Sequence, residues 1–159
     1  MHAPRTGRML DVGCGTGRLL HAAAQRYPLV VGLDPCLDML EVGQRRGASA
    51  GRVLVCAMAE RLPFATGTFD VVTSTLSMRH WEDPTRGLGE LTRVLSQAGT
   101  LVIAEAAPDP WPPPKRRLRR RHRNDGKLRL MAIRCGLAVV DEQVAPTIFT
   151  IHVLTARHQ

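Results

Sequence analysis

The chain has 159 residues, of which 44% are hydrophobic and 23% are charged. This length suits one domain, and the composition is that of a globular protein, which excludes wholesale disorder. The formal net charge is +8, yet nine of the basic residues and only one acid fall between Lys115 and Arg129. The remainder of the chain is therefore neutral, so the charge does not indicate a general nucleic-acid-binding surface.

Short apolar runs alternate with helical patterns over the first two thirds of the chain. The runs are rich in Val, Ile and Leu and barely alternate with polar residues, which is typical of parallel strands covered by helices on both faces. We predict five such strands, at Arg8–Val12, Leu29–Leu33, Arg52–Ala57, Phe69–Thr73 and Thr100–Ala104. The intervening helices are predicted at Arg18–Tyr27, Pro35–Arg46 and Pro84–Leu95, the last broken by Gly99.

The rhythm changes after Ala107. A proline- and arginine-rich insertion (108–124) contains the run PDPWPPP, which favours extended polyproline over helix. A last helix is predicted at Asp125–Cys135, followed by an antiparallel strand pair, Leu137–Val144 and Thr147–Thr155, with Pro146 in the turn. Together these elements predict a single α/β domain, residues 1–159, with a doubly wound and mostly parallel sheet.

Composition also indicates which site chemistry and which cellular compartment to expect. The four cysteines form no CxxC pair, and the six histidines form no pair at metal-ligand spacing, so we predict no metal site. The first ten residues contain no apolar signal-peptide core, and no apolar run approaches about 18 residues. These features predict a cytoplasmic protein without a membrane anchor.

The segment LDVGCGTG (Leu10–Gly17) carries the clearest chemical signal. Gly13, Gly15 and Gly17 allow a sharp turn between strand and helix and a close approach of the backbone to a ligand. The following helix N-terminus favours an anionic group. Asp34 ends the second strand, where a carboxylate can accept hydrogen bonds from two ribose hydroxyls. The alternative is a glycine-rich turn that binds nothing.

With these residues the sequence resembles the class I (Rossmann-like) S-adenosylmethionine-dependent methyltransferases, small-molecule branch. LDVGCGTG matches the first motif of that family. Four further segments resemble later motifs in the expected order: Val30–Leu40, Ala59–Phe64, Phe69–Trp81 and Glu90–Glu105. The resemblance covers residues 8–107 and implies a seven-stranded Rossmann-like sheet, S-adenosylmethionine as the cofactor, and methyl transfer to a small organic acceptor.

The resemblance also implies roles for individual residues. Asp11 would reach the cofactor's ammonium through a water, the Gly13–Gly17 backbone would surround the methionine portion, and Asp34 would bind the ribose. Thr75 would lie under the sulfonium. The full set of implied cofactor-binding residues is Asp11, Gly13, Cys14, Gly15, Gly17, Asp34, Pro35, Met58, Ala59, Glu60 and Thr75.

Arg79, His80 and Trp81 are the candidate acceptor-side residues, because they follow the fourth strand at the carboxyl edge of the sheet. His80 is the candidate catalytic base, since its unperturbed pKa lies near neutrality. The structural alternative is a loop histidine that only hydrogen-bonds to backbone.

Two departures from the family pattern affect these expectations. Met58 stands where the family commonly has an acid that binds the adenine amino group. The first strand begins about eight residues from Met1, so we expect the N-terminal lid helices of relatives to be missing. The chain would then be a shortened form, or a second copy in a homodimer would cover the open cleft.

Three alternative functions remain open at this level. The 115–129 basic segment would suit an RNA or polyanion methyltransferase, or capture of an anionic ligand, as an alternative to a solvated loop. A lidless, catalytically inactive interaction module would keep the fold alone. A nicotinamide dehydrogenase would require GxGxxG, whereas this turn reads GxGxG.

Overall fold

The computed structural model describes residues 7–46, 51–107, 125–146 and 150–159. Seven strands form one sheet in the order β3-β2-β1-β4-β5-β7-β6. In chain order the strands are β1 (Arg8–Val12), β2 (Leu29–Asp34), β3 (Arg52–Cys56), β4 (Phe69–Thr75), β5 (Leu95–Ala107), β6 (Leu137–Pro146) and β7 (Thr150–His158). The helices are α1 (Arg18–Ala23), α2 (Leu37–Arg45), α3 (Pro84–Val94) and α4 (Asp125–Arg134), with a short 3-10 helix at Met78–His80.

Strand direction confirms the predicted fold class. β1 pairs in parallel with both β2 and β4, and the same holds for β2 with β3 and for β4 with β5. β7 runs antiparallel to its neighbours β5 and β6. The order reverses at β1 and β4, and in open α/β sheets ligands bind at the carboxyl ends of the strands beside such a reversal.

The two faces of the sheet are buried in separate layers. Leu10 of β1 is fully buried in the layer that also contains Leu88 and Leu91 of α3. The preceding residue, Met9, lies on the other face with Leu20 of α1. Successive side chains of a strand point to opposite faces, so an uninterrupted apolar run in β1 supplies both layers.

The largest difference from the predicted elements concerns β5. Gly99 does not end α3; the helix ends at Val94, and Leu95 is already extended and pairs with Phe69. The regular register resumes at Thr100, so residues 96–99 bulge out of the ladder. Leu95 is 2% exposed, and its burial in the core layer explains why the chain enters the sheet before the glycine.

Smaller differences occur at other boundaries. α1 ends at Ala23 instead of continuing to Tyr27, and β4 extends two residues further, to Thr75. Pro146 is the last residue of β6 and pairs with Thr150, so the prediction that it lies in the turn is wrong. β6 is an edge strand, where the missing N–H of a proline is tolerated.

The proline- and arginine-rich insertion, 108–124, lies outside the described residues, as does most of the 115–129 basic segment. None of the helices in the described ranges is long and apolar enough to cross a membrane.

Candidate functional site

The glycine-rich turn after β1 is held against the end of β2 by its own backbone. The N–H groups of Gly13 and Cys14 both donate to the Leu33 carbonyl, at 2.7 and 3.0 Å. Gly13, Gly15 and Gly17 all have positive φ angles, of 76°, 53° and 71°, a region that disfavours side chains. At Gly13 a Cβ would also overlap the side chain of Ser77. The turn therefore needs glycine for both conformation and space.

Asp34 closes the same side of the site. One carboxylate oxygen accepts the Gly15 N–H at 2.8 Å, and the other accepts the Cys36 N–H at 2.9 Å. The side chain is 9% exposed, yet each oxygen keeps a second lone pair for another donor. The acid that sequence analysis placed at the end of the second strand thus links the glycine turn to the start of α2.

Asp11 is the more deeply buried carboxyl group, at 3% exposure. The Thr73 hydroxyl donates to its Oδ1 at 2.8 Å, across the parallel pairing of Asp11 with Thr73. Burial raises the pKa of Asp11 to about 6, while the Thr73 hydrogen bond lowers it and the nearby Asp34 raises it further. No partner of Oδ2 is found in the described part of the chain, so a cation beside Asp11 would stabilise its charge.

Cys14 contributes its backbone to the turn, whereas its side chain packs inward. A Cβ on Gly32 of β2 would lie 2.8 Å from the Cys14 sulfur, so Gly32 provides the space that this thiol occupies. Burial, with Asp11 and Asp34 nearby, raises the pKa of Cys14 to about 12. The thiol is therefore protonated at neutral pH and is not a nucleophile.

The segments predicted to lie beside the adenine are more exposed. Met58 is 44% exposed, whereas the neighbouring Ala59 is buried. Glu60 accepts the N–H of Asp83 at 3.2 Å, which ties this segment to the start of α3. Pro35 is exposed at the end of β2, and its carbonyl lies 3.6 Å from the Cys56 sulfur.

The acceptor-side segment follows β4. Thr75 is exposed at the end of that strand, where it pairs with Ala104. Arg79 and His80 are also exposed, and the Arg79 Nε–H donates to His80 Nε2 at 3.0 Å. While that bond is made, His80 Nε2 has no lone pair left for a substrate proton. The role of His80 as a base remains a prediction.

Trp81 lies at the end of this segment and is partly buried against the core layer that contains α3. The structure thus brings the predicted cofactor residues and Thr75 to the carboxyl ends of β1 to β4, and places Arg79 and His80 beyond β4.

Three functional candidates were missed by sequence reasoning: Thr73, Ser77 and Glu105. The Ser77 hydroxyl donates to the Val12 carbonyl at 3.1 Å and lies 2.8 Å from the Ser74 hydroxyl. Glu105 accepts the Met78 N–H at 2.8 Å. The available signal was the run of hydroxyl residues in FDVVTSTLS, but the contacts of Thr73 with Asp11, of Ser77 with Val12 and of Glu105 with Met78 join residues more than 25 positions apart in the sequence.

A doubly wound sheet with a glycine turn after β1 and an acid at the end of β2 defines a Rossmann-like domain with its ligand site at the carboxyl edge. Residues 10–103 match the family model described as a methyltransferase domain. The chain belongs to that family.

The most similar curated relatives include two quinone methyltransferases. The chain is 44% identical over 112 residues to the demethylmenaquinone methyltransferase of Clavibacter sepedonicus, covering 69% of this chain and 46% of the relative. It is 38% identical over 111 residues to the ubiquinone/menaquinone biosynthesis C-methyltransferase UbiE of Geotalea daltonii, covering 65% and 47%. The chain thus spans about half the length of these relatives.

Solved structures share the fold along nearly the whole chain. An S-adenosylmethionine-dependent methyltransferase from Mesorhizobium loti superposes with a TM-score of 0.80 at 21% identity, covering 98% of this chain and 94% of that one. One from Aquifex aeolicus gives 0.75 at 19% identity, covering 94% and 81%. At these identities the likeness establishes the fold.

Proposed function

We propose that the chain binds S-adenosylmethionine and transfers its methyl group to a small organic acceptor. The observation that carries the proposal is the buried pair Asp11 and Asp34 on either side of the glycine turn. A cofactor with an ammonium group at one end and a ribose in the middle matches these two carboxylates in order along the sheet edge.

Asp11 fits the amino-acid end of such a cofactor. Its buried carboxylate has one hydroxyl partner, Thr73, and burial raises its pKa to about 6. An ammonium group, directly or through a water, would supply the missing positive partner and lower that pKa. The Gly13–Gly17 backbone would surround the methionine portion without obstruction by side chains.

Asp34 fits the ribose. Its two oxygens are held in place by the N–H groups of Gly15 and Cys36, so their remaining lone pairs have fixed directions for two hydroxyl donors. Pro35, Met58, Ala59 and Glu60 would flank the adenine, with the apolar Met58 packing on the ring in place of a hydrogen-bonding acid.

The cofactor, when bound, supplies a methyl group on a sulfonium, which is already a strong electrophile. The chain's own task is to align an acceptor atom with that methyl group and to exclude water. Thr75, Arg79 and His80 would border the region beyond the sulfonium. His80 would serve as a base once Arg79 releases its Nε2 atom.

For the acceptor we propose a hydroquinone ring of the demethylmenaquinone type, methylated on carbon. The relatives named above support this class. The new bond joins the methyl group to a ring carbon, the sulfur–methyl bond breaks with its electrons left on sulfur, and the ring carbon loses its proton to a base. This balance requires no oxidant.

The test is transfer of a labelled methyl group from S-adenosylmethionine to a short-chain demethylmenaquinol by the intact chain. We expect label in the quinol product and less of it in Asp34→Asn at subsaturating S-adenosylmethionine, with Asp38→Asn on the exposed side of α2 as the matched control. Absence of label in the wild type, although S-adenosylhomocysteine binds, would refute the acceptor. Absence of binding would refute the function.

We further propose that residues 1–159 form one domain with an insertion at 108–124 and that the chain acts in the cytoplasm. The exposure of Met58 and Thr75 favours a second copy of the chain covering the cleft. The 115–129 segment would attract an anionic ligand. Light scattering checks the dimer, and a steep loss of phosphate-compound affinity with salt checks the anionic site.

A further inference from the structure

The segment that follows β4 adopts a conformation its sequence does not favour. Leu76 has a φ of 56°, and it is the only non-glycine residue with positive φ in the described ranges. Left-handed backbone disfavours a leucine because its Cβ approaches the carbonyl oxygen. A conformation of this kind persists only where surrounding contacts hold it.

Two contacts from β5 hold this segment in place. The Leu76 N–H donates to the Ala104 carbonyl at 2.7 Å, and the Met78 N–H donates to Glu105 Oε1 at 2.8 Å. Met78 is the first residue of the 3-10 helix, whose own N-cap, Ser77, makes no side-chain cap. The carboxylate of Glu105 therefore caps this helix from a neighbouring strand.

Ser77, which lies between Leu76 and Met78, contacts the cofactor half of the site. Ser77 donates to the Val12 carbonyl at 3.1 Å, and its side chain occupies the space beside Gly13 where a Cβ would lie. At the other end of the same short helix lies the hydrogen-bonded pair of Arg79 and His80. One short segment thus borders both halves of the site.

We propose that Glu105 is a positioning residue for methyl transfer. Its carboxylate holds residues 76–80 in their left-handed turn and short helix, so that Ser77 stays against the glycine turn and the Arg79–His80 pair stays at the acceptor side. This proposal rests on the methyltransferase function proposed above. Glu105 acts through this segment and does not itself touch the reacting atoms.

Glu105→Ala, Glu105→Gln and Glu105→Asp separate this role from general stability. The amide oxygen of Gln can still accept the Met78 N–H, whereas Asp keeps the charge but withdraws the acceptor by one methylene. Glu41→Ala removes an exposed glutamate of α2 that pairs with Arg45 and is the matched control.

Three readouts are measured on each variant: hydrogen exchange of residues 76–81, affinity for S-adenosylhomocysteine, and kcat and KM with a short-chain demethylmenaquinol. In Glu105→Ala and Glu105→Asp we expect exchange of this segment to be faster by about ten- to a hundredfold. kcat should fall by about the same factor while S-adenosylhomocysteine affinity stays within about threefold. Glu105→Gln should stay near the wild type, as should Glu41→Ala.

The outcomes distinguish failure of the role assigned to Glu105 from failure of the proposed methyltransferase function. If the wild type binds no S-adenosylhomocysteine, the proposed function fails and the assigned role fails with it. If the wild type binds and turns over, but segment exchange in Glu105→Ala and Glu105→Asp is unchanged, only the role of Glu105 is overturned. A parallel loss of affinity and kcat in all three variants would also overturn it, because that pattern marks general structural damage.

Discussion

The cofactor half and the acceptor half of this site are built in different ways. The cofactor half (residues 11–17 and 34–36) is fixed through backbone N–H groups: two of the glycine turn donate to the Leu33 carbonyl, and those of Gly15 and Cys36 donate to the Asp34 carboxylate. The acceptor half (residues 75–81) is held by side-chain contacts with distant parts of the chain: its own Ser77 donates to the Val12 carbonyl, and Glu105 of β5 accepts the Met78 N–H. The first half is encoded locally, whereas the second depends on pairs that only the fold brings together.

The largest effect is expected from Gly13→Ala, at the point where the two halves meet. The added Cβ would overlap the Ser77 side chain at a φ of 76°. Overpacking and left-handed strain together should lower the free energy of unfolding by about 3 to 4 kcal/mol, measured by urea denaturation. Gly67→Ala is the matched control, because Gly67 has a φ of 68° with no atom within 4 Å of the added Cβ. It should cost about 1 to 2 kcal/mol, and an equal loss in both variants would contradict the close contact between the halves.

Asp11→Asn should separate stability from binding in the cofactor half. Burial raises the Asp11 pKa from 3.8 to about 6, so between these values the native state keeps a proton that the unfolded chain has released. The free energy of unfolding therefore falls as pH rises through this window, by up to about 3 kcal/mol.

The uncharged Asn avoids that cost, so Asp11→Asn should be more stable than the wild type above pH 6 and should lack the decline in stability across the window. Its affinity for S-adenosylhomocysteine should nevertheless fall, because the ammonium loses its charged partner. Urea denaturation at several pH values checks the first expectation, and calorimetric titration checks the second. A variant less stable than the wild type at neutral pH would show that burial of the Asp11 carboxylate does not destabilise the fold.

Asp34→Asn should weaken cofactor binding by about 2 kcal/mol, because charged hydrogen-bond acceptors contribute about 1.5 to 3 kcal/mol. The amide replaces one of the two carboxylate oxygens with an NH₂ group. That NH₂ would face the backbone N–H of Gly15 or Cys36, and two donors cannot pair. Calorimetric titration with S-adenosylhomocysteine measures the change, with Asp38→Asn as the control. Equal affinity in the two variants would show that Asp34 does not contribute to cofactor binding.

Thr73→Val should give the smallest effect. The Thr73 hydroxyl lowers the Asp11 pKa, so its loss should move the pH midpoint for S-adenosylhomocysteine binding upward by about one unit, equivalent to about 1.4 kcal/mol. The free energy of unfolding at neutral pH should fall by about the same 1.4 kcal/mol, because the buried Asp11 carboxylate loses its hydroxyl donor. An unchanged midpoint would show that another group controls binding at this pH.

The same contrast explains what the sequence could and could not predict. Gly13, Gly15, Gly17 and Asp34 lie in short contiguous patterns at strand ends, and strand ends follow from apolar runs, so their location at one sheet edge was predictable. The start of β5 was not: Gly99 suggested that the strand begins at Thr100, but burial of Leu95 brings the chain into the sheet five residues earlier.

The contacts that could not be predicted from sequence depend on strand register. Thr73 reaches Asp11 because these residues are partners in a parallel ladder, and Glu105 reaches Met78 because β5 extends beyond β4. A serine and a glutamate have no distinctive local pattern, so Ser77 and Glu105 could not be singled out from sequence. His80 was chosen for its intrinsic pKa, whereas its contact with Arg79 was not predictable.

The central claim is that the glycine turn, Asp11 and Asp34 form a site for S-adenosylmethionine. Calorimetric titration of the intact chain with S-adenosylhomocysteine at pH 7.5, a pH chosen to lie about one and a half units above the Asp11 pKa, tests it most directly. We expect saturable binding with one ligand per chain, weakened in Asp34→Asn and unchanged in Asp38→Asn. Absence of binding at millimolar ligand, by a folded wild-type chain, would contradict the account.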